Sequence, residues 1–245
     1  MIQARTGSKR FPKKVLARIQ NKPLIYYIIS RVKKTKINQI VLLTTKKTED
    51  KTLLRLAKKY QILGYSGEIN DVLSRFYHCA IEFDADPIIR ITGDCPMIDS
   101  KIIDKLLDVY QKNNYDYVTN TLPPTFPDGL DVEIFSFSAL EKAFKNAKLK
   151  SEREHVTPYI RNNRKIFKIF NFVNDENLSH FRWTVDEKKD LKLVRKIYSL
   201  MKPNENFNYK QILKIISKNP SLTKINNEIQ RNEGYLISLR KDKSF

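Results

Sequence analysis

Strands and helices alternate through the first half of this 245-residue chain, which predicts an α/β fold on a mostly parallel mixed sheet. Three observations carry that expectation. Short apolar runs of strand length are separated by segments of helical periodicity, the rhythm of right-handed crossovers with helices on both faces. Hydrophobic residues make up 41% of the chain and aromatics 11%, enough for a sizeable core. Neither an internal repeat nor a low-complexity linker divides the sequence. Residues 1–245 are therefore read as one domain, with about 115–180 an elaboration and 203–245 a helical tail.

Each element follows from its own residues. Ile2-Gln3-Ala4 reads as the first strand. Residues 23–35 have helical spacing, with Leu24, Tyr27, Ile28 and Val32 on one face. Residues 39–45 form a buried strand, and 49–60 an amphipathic helix with an acidic first turn and a basic last turn. A helix over 70–83 takes Asn70 as its N-cap, residues 87–92 are a strand, and Ser100 caps a helix over 101–113. The rhythm changes after Tyr115. Two strands (116–122 and 130–137) flank a proline-rich loop, and a helix over 138–148 and a polar segment over 149–163 follow. Strands over 165–173 and 180–185 and helices over 186–201 and 208–219 lead to a basic tail.

Composition excludes several classes of protein. No run approaches the length of a membrane span, and no signal-like segment opens the chain, so a cytoplasmic protein is expected. Cys79 and Cys95 lack metal-site or disulfide spacing and read as small buried hydrophobes. His78, within an apolar helical pattern, reads as a satisfied core residue. The net charge of +19 invites a nucleic-acid reading, but the lysines are spread along the chain without zinc-finger spacing, an aromatic RNA-binding strand or an isolated basic tail. A cationic enzyme for anionic substrates accounts for the same charge, so no nucleic-acid partner is expected.

The residues that carry chemistry lie at strand ends. After the first strand, Arg5-Thr6-Gly7-Ser8-Lys9-Arg10 and Phe11-Pro12-Lys13-Lys14 form a small-residue turn carrying five cations. Such a turn can offer backbone N–H groups and fixed charge to the same phosphates, although it is not a Walker loop. A solvated basic N-terminus would explain the charges alone. Asp94 follows the strand over 87–92, and Asp186 follows the one over 180–185. Ligands gather outside the carboxyl ends of parallel strands, and two carboxylates with phosphate oxygens and water suit Mg²⁺. Either aspartate alone could simply cap the turn or helix that follows it. Together with the basic turn, the pair describes a triphosphate site.

Ile2-Gln3-Ala4-Arg5-x-Gly7-Ser8-x-Arg10-x-Pro12-x-Lys14, Ile91-Thr92-Gly93-Asp94-Cys95-Pro96 and Trp183-Thr184-Val185-Asp186 strongly resemble the cytidylyltransferase family. The branch is that of SpsF-like proteins of spore-coat and surface polysaccharide synthesis, relatives of 3-deoxy-manno-octulosonate and acylneuraminate cytidylyltransferases. Further matches are Asp71-Val72-Leu73-x-Arg75, Asp128-Gly129-Leu130-Asp131-Val132-Glu133 and Arg153-Glu154-His155-Val156-Thr157-Pro158-Tyr159. The resemblance implies a Rossmann-like nucleotide-diphospho-sugar transferase (GT-A-like) three-layer sandwich, a Mg²⁺ cofactor, and transfer of CMP from CTP to a small sugar-like acceptor. It places Arg5, Gly7, Ser8, Arg10 and Lys14 on the triphosphate and Gln3 and Ala4 near the base, with Asp71 and Arg75 completing the nucleotide pocket. Asp94 and Asp186 become the metal ligands, with Arg10, Lys14 and Asp94 in catalysis. Asp128, Asp131 and Glu133 near the Pro-Gly loop, with Arg153, Glu154 and His155, read either as the acceptor site, Arg153 being the anion partner and His155 orienting a neighbour, or as a solvated loop and a dimer-facing hinge. Relatives suggest a homodimer. The sequence departs from the pattern at Thr44-Thr45-Lys46-Lys47, where relatives often carry acidic residues, so lysines are expected near the base. A glycosyltransferase of the same fold would place its metal on an Asp-x-Asp pair, which Asp94-Cys95-Pro96 is not.

Overall fold

A computed structural model describes residues 1–242. In chain order the strands are β1 (Ile2–Gln3), β2 (Arg18–Ile19), β3 (Lys22–Pro23), β4 (Val41–Thr45), β5 (Leu63–Gly67), β6 (Ile88–Thr92), β7 (Tyr117–Thr119), β8 (Glu133–Phe135) and β9 (Ile169–Asn171). The helices are α1 (Leu24–Val32), α2 (Lys51–Lys59), α3 (Val72–Glu82), α4 (Ser100–Lys112), α5 (Phe137–Asn146), α6 (Lys150–His155), α7 (Pro158–Asn162), α8 (Lys188–Leu200), α9 (Tyr209–Lys218) and α10 (Glu233–Asp242). Seven strands form one sheet in the order β5-β4-β1-β6-β8-β7-β9, and β2 and β3 form a separate hairpin. β1 pairs in parallel with both β4 and β6, while β8 runs antiparallel between β6 and β7. The result is the expected mostly parallel, mixed sheet.

Alternation along the strands builds the layers. Leu42, Ile89, Ile91, Val118 and Ile134 point to one face, where residues of α1, α4, α8 and α9 cover them. Val41, Leu43, Ile88, Tyr117 and Phe135 point to the other, beneath α3 and α5. Because β4, β1 and β6 are parallel, the segments after Gln3, Thr45 and Thr92 all emerge at one sheet edge. The basic turn and Asp94, both candidate site segments, follow these strands there.

The structure corrects several local expectations. Asp71, not Asn70, caps α3, accepting from the Ser74 N–H at 2.8 Å. Asp99 caps α4 and Ser100 is its first helical residue, because Asp99 also accepts from the Tyr209 N–H at 2.8 Å and is held in place from both sides. The segment over 180–185 joins no sheet. It is extended but spans the loops, with the Trp183 N–H donating to the Asp128 carbonyl (2.6 Å) and the Val185 N–H to the Asp94 carbonyl (2.8 Å). The polar stretch over 149–163 folds into two short helices, α6 and α7, and much of the basic tail into α10. His78 is exposed on α3 rather than buried, its Nδ1 beside the Ser74 carbonyl at 2.8 Å. Cys79 and Cys95 are buried and unpaired as expected, and burial pushes the Cys79 thiol up to about 12.

Candidate active site

A buried aspartate shapes the N-terminal turn. The Thr6 N–H and hydroxyl both donate to Asp50 Oδ1 at 2.7 Å, and the Thr45 hydroxyl donates to its other oxygen. The Thr6 carbonyl accepts from the N–H groups of Ser8 (3.0 Å) and Lys13 (2.8 Å). Lys13 reverses the chain at φ 58°. This folding leaves Arg5, Gly7, Lys9, Arg10 and Lys13 exposed at the sheet edge and Ser8 half-buried. Lys14 turns inward and is 9% exposed.

Lys14 Nζ lies 2.8 Å from Asp94 Oδ2 and 2.8 Å from Asp186 Oδ1. Two aspartates far apart in sequence thus converge beside the basic turn. Gly93 places the first of them. Its N–H donates to the Gln3 carbonyl at 2.7 Å, so close that a Cβ would lie 2.6 Å from that oxygen. The bond from Val185 to the Asp94 carbonyl brings the second. Arg182 then fixes it, reaching Asp186 at 3.0 Å, Asp128 at 2.8 Å and Asp190 at 3.0 Å. Arg10 Nη2 approaches Asp186 at 3.1 Å, and its Nη1 pairs with Glu233 of α10 at 2.5 Å.

Electrostatics follow from these pairings. Burial alone would raise the Asp94 carboxyl, but the Lys14 ammonium overrides it and draws the group down to about 2. For Lys14, burial is the largest single influence and works downward. Asp94 and Asp186 together outweigh it and hold the ammonium above its ordinary value. Asp128 is pushed up to about 7 by burial and the neighbouring Asp131, and Asp131 itself is raised by burial. His155 falls to about 4 through burial and the nearby Arg90 guanidinium, so it is neutral at pH 7.

The remaining expected site residues fall into two groups. Asp128, Asp131, Glu133 and His155 line a cavity of about 230 Å³ that also reaches Arg10, Asp94 and Asp186. Glu133 is fully engaged there: it accepts from the Tyr117 hydroxyl (2.6 Å) and the Thr157 hydroxyl (2.5 Å) and pairs with Arg90. Arg153 and Glu154 do not line this cavity. Arg153 is bound to Asp71 at 2.5 Å and to the Phe144 carbonyl at 2.9 Å, and Glu154 accepts from the Ser238 hydroxyl at 3.0 Å. His155 Nε2 stands 3.1 Å from the Ser238 hydroxyl.

On the nucleotide side, the Ala4 N–H is already spent on the Leu43 carbonyl, and Gln3 Oε1 accepts from Arg90 at 3.2 Å. Arg75 is buried, donating to the Glu68 carbonyl at 3.0 Å. Burial, then the nearby Arg5, lowers its guanidinium to about 10. With Asp71 capping α3, it holds the loop over 68–71 in place. Lys46 stands at this end of β4 as expected, matched by Glu68 at 3.3 Å.

Sequence reasoning missed Arg90, Arg161, Arg182, Glu233 and Tyr235, all of which line the cavity. A lone arginine inside an apolar strand or the Phe-Arg-Trp run was a usable signal for Arg90 and Arg182. Nothing local pointed to the tail.

No group of three or more His, Cys, Asp or Glu side chains poised for a metal occurs among the described residues. Asp94 and Asp186 supply two hard oxygen donors already converging on one cation, a donor set that fits Mg²⁺ completed by phosphate oxygens and water.

A cationic turn facing two carboxylates, at the carboxyl edge of a parallel sheet, suits the phosphates of a nucleotide, and the family match makes the chain a nucleotidyltransferase. The sequence profile of the family described as cytidylyltransferase matches residues 1–236, and the chain belongs to that family. It is 39% identical to an uncharacterized protein of Methanocaldococcus jannaschii over 94% of this chain and 95% of the relative. The structure of a cytidylyltransferase from Leptospira borgpetersenii superposes with a TM-score of 0.89 at 35% identity, covering 94% and 97% of the two chains. The spore coat polysaccharide biosynthesis protein SpsF of Bacillus subtilis is 26% identical over 90% of this chain and 94% of its own. A 3-deoxy-manno-octulosonate cytidylyltransferase of Thermodesulfovibrio yellowstonii matches at 29% over 46% of this chain and 48% of its own. No helix among the described residues is long and apolar enough to cross a membrane.

Proposed function

We propose that this enzyme transfers CMP from CTP to a sugar acid or related sugar-like acceptor, with Mg²⁺ as cofactor, for surface polysaccharide synthesis. It works in the cytoplasm as a homodimer. The observation that carries the reading is Lys14 Nζ set 2.8 Å from both Asp94 and Asp186, beside the exposed cations of the N-terminal turn.

In the reaction an acceptor oxygen forms a bond to the α-phosphorus of CTP in line with the leaving group. The bond to the bridging oxygen of the β-phosphate breaks, pyrophosphate departs, and the acceptor's proton passes to water. Positioning and charge neutralisation lower the barrier, with no covalent protein intermediate. Arg5, Ser8 and the backbone around Gly7 bind the phosphates, and Arg10 and Lys14 offset charge gathering on the pyrophosphate. Asp94 and Asp186 would hold Mg²⁺, which when bound polarises phosphate oxygens and lowers the pKa of an attacking hydroxyl. Asp128, Asp131 and Glu133 face the acceptor side, where His155 is neutral and lines the cavity without acting as a base.

The test is pyrophosphate release from each nucleoside triphosphate with a panel of sugar acids. CTP should be preferred, and Asp94→Asn should lose turnover by several orders of magnitude while CTP affinity changes far less. Wild-type turnover in that variant would end the metal assignment.

A further inference from the structure

One wall of the reactive cavity comes from the end of the chain: Asn232, Glu233, Gly234 and Tyr235 line it, facing Arg10 and Asp131. The chain is anchored before this wall at Asn226, which is buried and donates to the Arg182 carbonyl at 3.0 Å and to Asp190 at 2.8 Å. Between anchor and wall, residues 227–230 are exposed or half-buried.

Beyond Asn226 the tail is held by charge and polar contacts rather than by a core. Arg231 reaches Asp131 at 2.5 Å and Glu233 reaches Arg10 at 2.5 Å. The Ser238 hydroxyl donates to Glu154 at 3.0 Å, and Asp242 accepts from the Ser151 N–H at 3.0 Å. The Tyr235 ring lies under Arg161, with the guanidinium carbon 4.3 Å from its centroid. Among the described residues of α10 only Ser238 is buried, whereas α8 buries six side chains. A helix with so little burial opens locally far more readily than the core does.

Tail and basic turn meet at Arg10. Its Nη1 holds Glu233 and its Nη2 holds Asp186 at 3.1 Å, so both edges of the guanidinium carry carboxylate oxygens, where phosphate oxygens bind equally well. The two carboxylates differ in how they are fixed. Asp186 is also bound by Lys14 and Arg182, inside the site. Glu233 arrives on the first turn of the weakly buried α10.

We propose that residues 231–242 are a strap across the reactive cavity and that Glu233 is its latch, a carboxylate standing on Arg10 in the place of a nucleotide phosphate. A triphosphate or pyrophosphate that takes Arg10 displaces Glu233 and loosens α10 from the cavity wall. The other tethers persist, so α10 opens more often rather than detaching. This rests on the reading of Arg10 as a phosphate contact.

The test is hydrogen–deuterium exchange of the full chain with and without saturating inorganic pyrophosphate or CTP, read in α10 and, as an internal reference, in α4. Calorimetry first establishes that each ligand binds. Loss of one partly exposed ion pair should speed exchange over residues 235–242 about threefold while α4 is unchanged. Potassium chloride at matched ionic strength should do much less, which separates displacement from screening. Glu233→Gln should exchange about threefold faster over the same residues with no ligand present, and pyrophosphate should add nothing further. Unchanged or slowed exchange in α10 on ligand binding overturns the proposal, as does an acceleration shared by α4 or matched by chloride. A Glu233→Gln variant that exchanges like the wild type overturns it too. Failure of the wild type to bind either ligand would instead sink the reading of Arg10 as a phosphate contact. The ligand-free comparison of the two proteins would then still report whether Glu233 holds α10.

Discussion

Replacing Lys14 by methionine removes the one ammonium shared by Asp94 and Asp186 while keeping most of the side chain's volume. The three side chains are 11%, 24% and 20% exposed, so the pair is largely withdrawn from water. Deleting one partner of a buried ion pair costs about 3–5 kcal/mol. Asp186 keeps Arg182 at 3.0 Å and Arg10 at 3.1 Å, so most of the loss falls on Asp94. The fall of the Asp94 carboxyl to about 2 amounts to about 2 kcal/mol of linked stability at neutral pH. A loss of about 2–3 kcal/mol is therefore expected, or a Tm drop of about 5–10 °C for a chain of this length.

The pH dependence gives the sharper check. In the wild type the lowered Asp94 pKa contributes stability that is fully present above about 4 and is lost as pH falls toward 2. In Lys14→Met the largest opposition to burial is gone and only the Thr92 and Cys95 hydrogen bonds still lower the carboxyl, so its pKa rises and proton uptake as pH falls stabilises the variant. The gap between the two proteins, followed by urea unfolding, should be widest near pH 8 and narrow toward pH 5. Millimolar Mg²⁺ should narrow it further at pH 8 if the two carboxylates hold the metal as proposed. A variant as stable as the wild type at pH 8, or a gap independent of pH, would refute the reasoning.

Three other outcomes are expected. Gly93→Ala would set a Cβ 2.6 Å from the Gln3 carbonyl and 2.7 Å from the Ala4 Cβ, so thermal unfolding should show a loss of about 1–3 kcal/mol. Asp128, with its carboxyl raised to about 7, contributes stability present below about 4 and lost as pH rises through 7; Asp128→Asn should flatten that part of the stability–pH curve. Glu233→Gln releases Arg10 from its 2.5 Å partner and should tighten CTP binding about threefold by calorimetry, an exposed pair being worth under about 1 kcal/mol.

The sequence was legible wherever one local rule decided the outcome. Short apolar runs located β4 and β6, which are buried on both faces, and helical periodicity located α1, α3, α4 and α8. Aspartates at strand ends drew attention because parallel strands deliver their termini to one edge. Caps were misplaced by one residue at α3 and α4, where the neighbouring aspartate makes a second tertiary bond that no local rule anticipates. β5 escaped notice as an edge strand whose Leu63 and Gly64 are exposed. The segment over 180–185 has a strand's apolar content but spends its backbone bonds on two loops. Arg153 resembled a free anion binder because its partner Asp71 is 82 positions away. The contribution of α10 was invisible for the same reason: Glu233 meets Arg10 across 223 positions.

Charge near the reactive centre is not what the composition suggests. Lys14, Arg10 and Arg182 share five distinct carboxylates: Asp94, Asp186, Glu233, Asp128 and Asp190. Three cations against five acids leave this cluster short of positive charge inside a protein of net charge +19. The raised carboxyl of Asp128 relieves part of the shortfall, and a triphosphate would add several more negative charges. The protein's overall charge cannot compensate, because lysines spread over its surface are screened beyond about 8–10 Å. What remains within reach is Arg161 on the cavity wall, the exposed set of Arg5, Lys9 and Lys13 on the turn and, as proposed, a divalent cation between Asp94 and Asp186. The turn alone would draw a triphosphate to the sheet edge but leave its α-phosphate facing carboxylates. Local charge balance is thus an argument for the proposed Mg²⁺ that is independent of family resemblance.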